Sequence, residues 1–128
     1  MPEQSSFDYA VIRVVPQPER EEFVNVGVIL HCAALRFLDC RIELCERRLL
    51  ALAPEIDLEM VRKQLDLFPR IAEGGPEAGA LSDLTQPERF RWLTSPRSTC
   101  IQISPVHSGL CDDPRAALDD LFDKLVSC

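Results

Sequence analysis

Apolar and polar positions alternate over the first third of the chain, then recur at helical spacing. Residues 7–15, Phe-Asp-Tyr-Ala-Val-Ile-Arg-Val-Val, are rich in β-branched and aromatic types and predict a strand. Pro16 and Pro18 stop it, because proline supplies no ladder donor. A second strand is predicted over 22–32. The spacing suggests a hairpin with Val15 opposite Phe23, Arg13 opposite Asn25 and Val11 opposite Gly27. In that register Ala10, Ile12 and Val14 share the better buried face with Val24, Val26, Val28 and Leu30. A third strand is expected over 36–44, where Leu38, Cys40, Ile42 and Leu44 alternate with Asp39, Arg41 and Glu43.

Helical spacing follows. A short helix is predicted over Arg47–Ala53, ended by Pro54. Asp57 is a natural N-cap for a helix carrying Leu58, Val61, Leu65 and Phe68, which Pro69 kinks or ends. The Gly-rich stretch near 73–82 reads as a flexible connection. Thr85-Gln86-Pro87-Glu88 matches a capping box, so a helix is expected over 86–94. A fourth strand over 98–104 and a final helix after Asp113-Pro114, with Leu118, Leu121, Phe122 and Leu125 on one stripe, complete the pattern. This order predicts a single α+β domain of 128 residues: an antiparallel three-stranded meander, a fourth strand, and helices packed on one face.

Charge narrows the function classes. The chain carries 21 acids and 14 bases, net −7, which sets back binding to nucleic acid and to anionic membranes. No apolar run is long enough to cross a membrane, and residues 1–6 carry no export signature. The six cysteines, Cys32, Cys40, Cys45, Cys100, Cys111 and Cys128, are irregularly spaced and form no CxxC. They are expected to be free thiols in a cytoplasmic protein, and Cys32, Cys40 and Cys45 lack the knuckle spacing of a zinc site. No cofactor motif is present, and no P-loop, nucleophile elbow or HExxH.

The candidate chemistry is anion binding. Arg13 is a charge inside an apolar strand, so it must meet water, a carboxylate or a ligand. Asn25 is expected beside it. Residues 87–99 hold Arg89, Arg91 and Arg97 against the single acid Glu88, a local charge of +2. There Arg97 and Ser98 offer a guanidinium fork and a hydroxyl. His107 follows a strand end and is a candidate base or phosphate ligand. For it to approach Arg97, Pro105–Gly109 must turn back over the sheet. Each residue also has a purely structural role: Arg13 paired with an acid, His107 bonded in a turn. Likewise Phe90 with Trp92 or Leu93 would anchor a helix, leaving Arg89 and Arg91 solvated. Gly27 marks a bulge or a close contact in its strand. Cys111 precedes Asp112 and Asp113, whose charge suppresses a thiolate.

Three stretches together resemble the DUF3037 family of small bacterial proteins of unknown function. They are Tyr9–Pro16, Glu22–Val28, and Phe90–Thr99 with Ser104–Gly109. The resemblance implies no catalytic residue or cofactor. It implies a companion of kinase-like proteins of the HipA type. The expectation is therefore a non-catalytic accessory or regulatory module that binds a protein partner. The alternative is a small enzyme acting on a phosphate-bearing or other anionic substrate through Arg13, Arg97 and His107.

Overall fold

A computed structural model describes residues 4–96 and 100–128. Its five strands are β1 (Ser5–Val14), β2 (Val24–Cys32), β3 (Phe37–Ile42), β4 (Ile101–Ile103) and β5 (His107–Cys111). Its α-helices are α1 (Glu46–Leu52), α2 (Leu58–Leu65), α3 (Leu67–Glu73), α4 (Gln86–Leu93) and α5 (Pro114–Leu125). The fold is α+β. The sheet is antiparallel with order β3-β2-β1-β4, and β5 pairs with β1 on the same side as β4.

The expected caps are in place. Asp57 accepts from the Met60 N–H, Thr85 and Glu88 form a reciprocal capping box, and Asp113 accepts from the Arg115 N–H. Pro69 breaks the helix as expected: α2 ends at Leu65, the residue whose carbonyl the Pro69 ring would crowd and to which it has no N–H to donate, and Pro69 itself sits in the first turn of α3, where no N–H is needed. Residues 75–81 form 3-10 turns.

The β1–β2 hairpin pairs Arg13 with Asn25 as expected, but its register shifts between Ile12 and Arg13. Val26 is the extra residue. Past it Ile12 faces Gly27 and Val11 faces Val28, not Gly27. Val24 and Val26 therefore share a face with Ile12, Val14 and Ile29, while Val28, Leu30 and Cys32 turn to the opposite side. The even-numbered apolar positions thus divide between two faces instead of sharing one. Gly27 follows from the same bulge. A Cβ there would lie 2.9 Å from the Arg41 carbonyl oxygen and 3.0 Å from both Ile12 Cδ1 and Ile42 Cγ1.

Two cores result, and helices cover both faces, one more than the sequence pattern suggested. On one face Ile12, Val14, Val26 and Ile29 pack under Leu49, Val61, Leu65, Phe68, Ile71, Phe90 and Leu93 from α1–α4. On the other face Phe7, Val28, Leu30 and Cys32 pack under Leu118 and Phe122 of α5 and under Val126. The stripe expected on α5 is only partly buried, since Leu125 is exposed.

Candidate functional site

Arg13 and Asn25 lie on the α5 side of the hairpin. The Arg13 guanidinium stacks over the Phe23 ring, 4.2 Å from its centroid, and forms no ion pair among the described residues. Its Nε is buried with no hydrogen-bond partner, and so is Asn25 Oδ1. Asn25 Nδ2 donates to the Leu125 carbonyl at 3.2 Å, and Arg48 Nη1 donates to the Val126 carbonyl at 3.2 Å. Both satisfy carbonyls at the end of α5 that the helix leaves free, and the Arg48 charge suits the negative end of the helix dipole. The geometry therefore gives Asn25 a docking role.

His107 is carried in a different way. Residues 101–111 run along β1 as a nearly continuous edge: Ile103 faces Ile12, and His107 faces Tyr9. The extra residue between them is absorbed near Ser104. The Ser104 hydroxyl accepts from the Val11 N–H at 2.8 Å and donates to the Pro105 carbonyl at 2.9 Å. The Pro105–Gly109 segment is therefore extended and makes no return turn, because proline costs nothing at a bulge on an edge strand. His107 is exposed, with its ring 5.4 Å from that of Tyr9. It shares the α5 side with Arg13, but their β1 positions, Tyr9 and Arg13, are four residues or ~13 Å apart. Arg97 and Ser98 lie outside the described residues.

In α4 Phe90 and Leu93 are buried and Trp92 is 38% exposed. Arg91 faces solvent as expected, but Arg89 does not. Its Nη1 donates to the Leu84 carbonyl at 2.8 Å and its Nη2 to Ala72 at 3.5 Å, in a buried position against Gly74. The guanidinium satisfies the carbonyl end of α3, which local charge counting along the sequence does not reveal.

One polar row went unseen in the sequence. Asp8 of β1 faces His31 of β2 on one side and Ser108 of β5 on the other. The Ser108 hydroxyl donates to Asp8 Oδ1 at 2.7 Å. His31 is buried with its ring 5.2 Å from Phe90, and its Nε2 has no partner. Burial lowers its pKa, and the Asp8 charge works against that. The carboxylate stands between imidazole and hydroxyl, so the row lacks the serine–histidine contact that activates a nucleophile. Only strand register brings these three residues together, and no sequence spacing announces it.

The expectation of six free thiols needs correction. Cys45 and Cys128 form a disulfide with Cα atoms 5.4 Å apart, across a sequence separation of 83. It joins the start of α1 to the chain beyond α5, so it depends on tertiary docking rather than local spacing. Cys32, Cys40, Cys100 and Cys111 are free. Burial raises the pKa of Cys40, with Asp39 adding to it, and burial also raises that of Cys100. Cys111 is raised first by burial, then by Cys32, with Asp112 and Asp113 contributing less. These three thiols are poor nucleophiles.

Among the described residues no cluster of three or more His, Cys, Asp or Glu side chains is arranged to hold a metal ion. No helix among them is long and apolar enough to cross a membrane. A search of the curated proteins and a search of the solved structures found no match. The family profile described as "Protein of unknown function (DUF3037)" matches residues 9–126. That span includes every strand but the start of β1, and all five helices, so the chain belongs to the DUF3037 family.

Proposed function

We propose that this protein is a non-catalytic accessory module that binds a protein partner by accepting an extended segment along the outer edge of β5. The supporting observation is that edge. Among the described residues β5 pairs only with β1, and residues 107–110 carry no Lys, Arg, Asp or Glu. Leu110 is 65% exposed, the largest value among the described large apolar side chains, and Val106 just before β5 is 47% exposed. An unpaired edge with apolar side chains takes up another strand through main-chain bonds, with side-chain pockets setting the choice.

A kinase-like protein of the HipA type is the first candidate partner, and the bacterial cytoplasm the proposed setting. The four free thiols fit a reducing compartment. The Cys45–Cys128 bond goes against that habit, so its state in cells bears directly on the setting. The test is recovery of partners from the native host on tagged protein. Wild type should recover a kinase-like protein, and Leu110→Lys should lose it while keeping its thermal stability, since the side chain is exposed. Equal recovery by Leu110→Lys, or no recovery by wild type, overturns the edge as the docking surface.

A further inference from the structure

The far end of β1 carries a separate cavity of about 430 Å³. It opens between the chain after β1, at residues 16–22, and the α1–α2 link, at residues 52–56. That volume falls within the range of small-molecule sites, ~300–1,000 Å³. Pro16, Leu52, Pro54 and Ile56 give its lining an apolar part. Two of these are prolines with fixed φ, so the walls need little ordering when a guest arrives.

The rim is charged with both signs. A 3-10 turn over Pro18–Arg20 ends on Glu21 in the left-handed region, φ 56°, and the chain returns so that Glu22 reaches Arg20. Arg20 Nε donates to Glu22 Oε1. Among the described residues the two terminal nitrogens of Arg20 have no partner, and neither does the Glu55 carboxylate. A spare guanidinium fork and a spare carboxylate thus line one cavity together with apolar side chains. With Glu22 included, the three rim charges sum to −1, which disfavours phosphates and other pure anions. A guest with no charge would leave both spare groups unused.

We propose that this cavity binds a free zwitterionic α-amino acid with an aliphatic side chain. Arg20 takes the α-carboxylate through its terminal nitrogens, Glu55 takes the α-ammonium, and the side chain lies against Pro16, Leu52, Pro54 and Ile56. The guanidinium fork matches a carboxylate, and the two charges of the guest need opposite partners at once. The cavity lies past the β4 end of β1, away from β5, so the inference is independent of partner docking.

The probe is L-leucine, titrated into the full chain and followed by amide chemical shifts. Saturable shifts are expected at Gln17, Ala53 and Ile56. Leucinamide, which lacks the carboxylate, and N-acetylleucine, which lacks the ammonium, should each bind at least about tenfold more weakly. Arg20→Met should bind leucine and leucinamide equally, and Glu55→Gln should bind leucine and N-acetylleucine equally. Both positions are exposed, so both variants should keep the wild-type melting temperature. Absence of saturation by about 10 mM leucine overturns the proposal. So does leucinamide binding as tightly as leucine, or a dipeptide binding more tightly, which would mark a peptide terminus as the guest.

Discussion

Replacing Gly27 with alanine probes the bulge on which the two-faced sheet depends. The added methyl would meet the Arg41 carbonyl oxygen at 2.9 Å, and Ile12 Cδ1 and Ile42 Cγ1 at 3.0 Å each. Ordinary contacts run at ~3.5–4.0 Å, so all three are short by about half an ångström or more. None yields freely: the carbonyl belongs to the β2–β3 ladder, and Ile12 is fully buried. Overpacking of this kind costs ~1–3 kcal/mol. Gly27 does not have positive φ, so alanine adopts its backbone and recovers ~0.4–1 kcal/mol by restricting the unfolded chain. The net expectation is a loss of about 1–2 kcal/mol, a fall in Tm of roughly 4–10 °C for a chain of this size. Urea and thermal unfolding measure it, with an unchanged m-value. Adding Ile12→Val, which removes the clashing Cδ1, should relieve part of the Gly27→Ala cost and make the pair non-additive. A Gly27→Ala protein as stable as wild type, or strict additivity with Ile12→Val, would refute the close approach.

Three further outcomes follow from the packing. Thiol titration of the oxidised protein, denatured without reductant, should count four, rising to six after reduction. Cys128→Ser should lower stability by up to about 4.5 kcal/mol, the chain-entropy value for closing a loop of this length, and six thiols before reduction would exclude the bond. Phe122→Ala empties a buried position under α5 and removes the ring beneath Arg41, so unfolding should cost ~3–5 kcal/mol less. Amide exchange should then rise first in α5, and uniform exchange in all helices would count against two separate cores. Burial lowers the His31 pKa, so the unfolded chain binds a proton more readily than the folded one. Stability should fall as pH drops below the unfolded value of ~6.5, and the slope should shrink in His31→Gln. An unchanged slope in that variant would assign the pH dependence elsewhere.

Periodicity and cap chemistry made the elements legible. Asp57, Thr85 with Glu88, and Asp113 each cap the helix that follows them, and the Leu38/Cys40 alternation gives β3 its buried side. Such signals are local, and local backbone physics enforces them. What stayed hidden was non-local. One inserted residue at Val26 reverses the facing of everything after it in β2, and nothing in Val-Asn-Val-Gly-Val distinguishes a bulge from a straight strand except the glycine. That reversal sends Val28, Leu30 and Cys32 to a second face, which then needs α5 as a cover. The candidate site shows the same division. The Arg13–Asn25 pairing followed from hairpin register, but Asn25 meeting Leu125 spans 100 residues of sequence, and Arg89 finding the end of α3 depends on how two helices pack.

The two edges of the sheet differ in how they resist another strand. At β3, Asp39 pairs with Arg115, and Arg41 pairs with Asp119 while lying 4.0 Å from the Phe122 centroid. These charges, anchored to α5, make that edge costly to desolvate, and α3 packs against the same strand. At β5 the side chains are His107, Ser108, Leu110 and Cys111, with no charge of either sign at neutral imidazole. Among the described residues the deterrents are Pro105 and the bulge at Ser104, both before the strand begins. The Ser108 hydroxyl is held by Asp8, so its position is set before any partner arrives. A protein that avoided edge pairing would carry lysine or a buried charge at Leu110, where this chain presents the most exposed of its described large apolar side chains. The asymmetry between a guarded β3 and an unguarded β5 supports one docking edge rather than two. It also predicts a one-to-one complex rather than a growing stack of strands, because among the described residues the opposite edge of the sheet, at β3, is the guarded one.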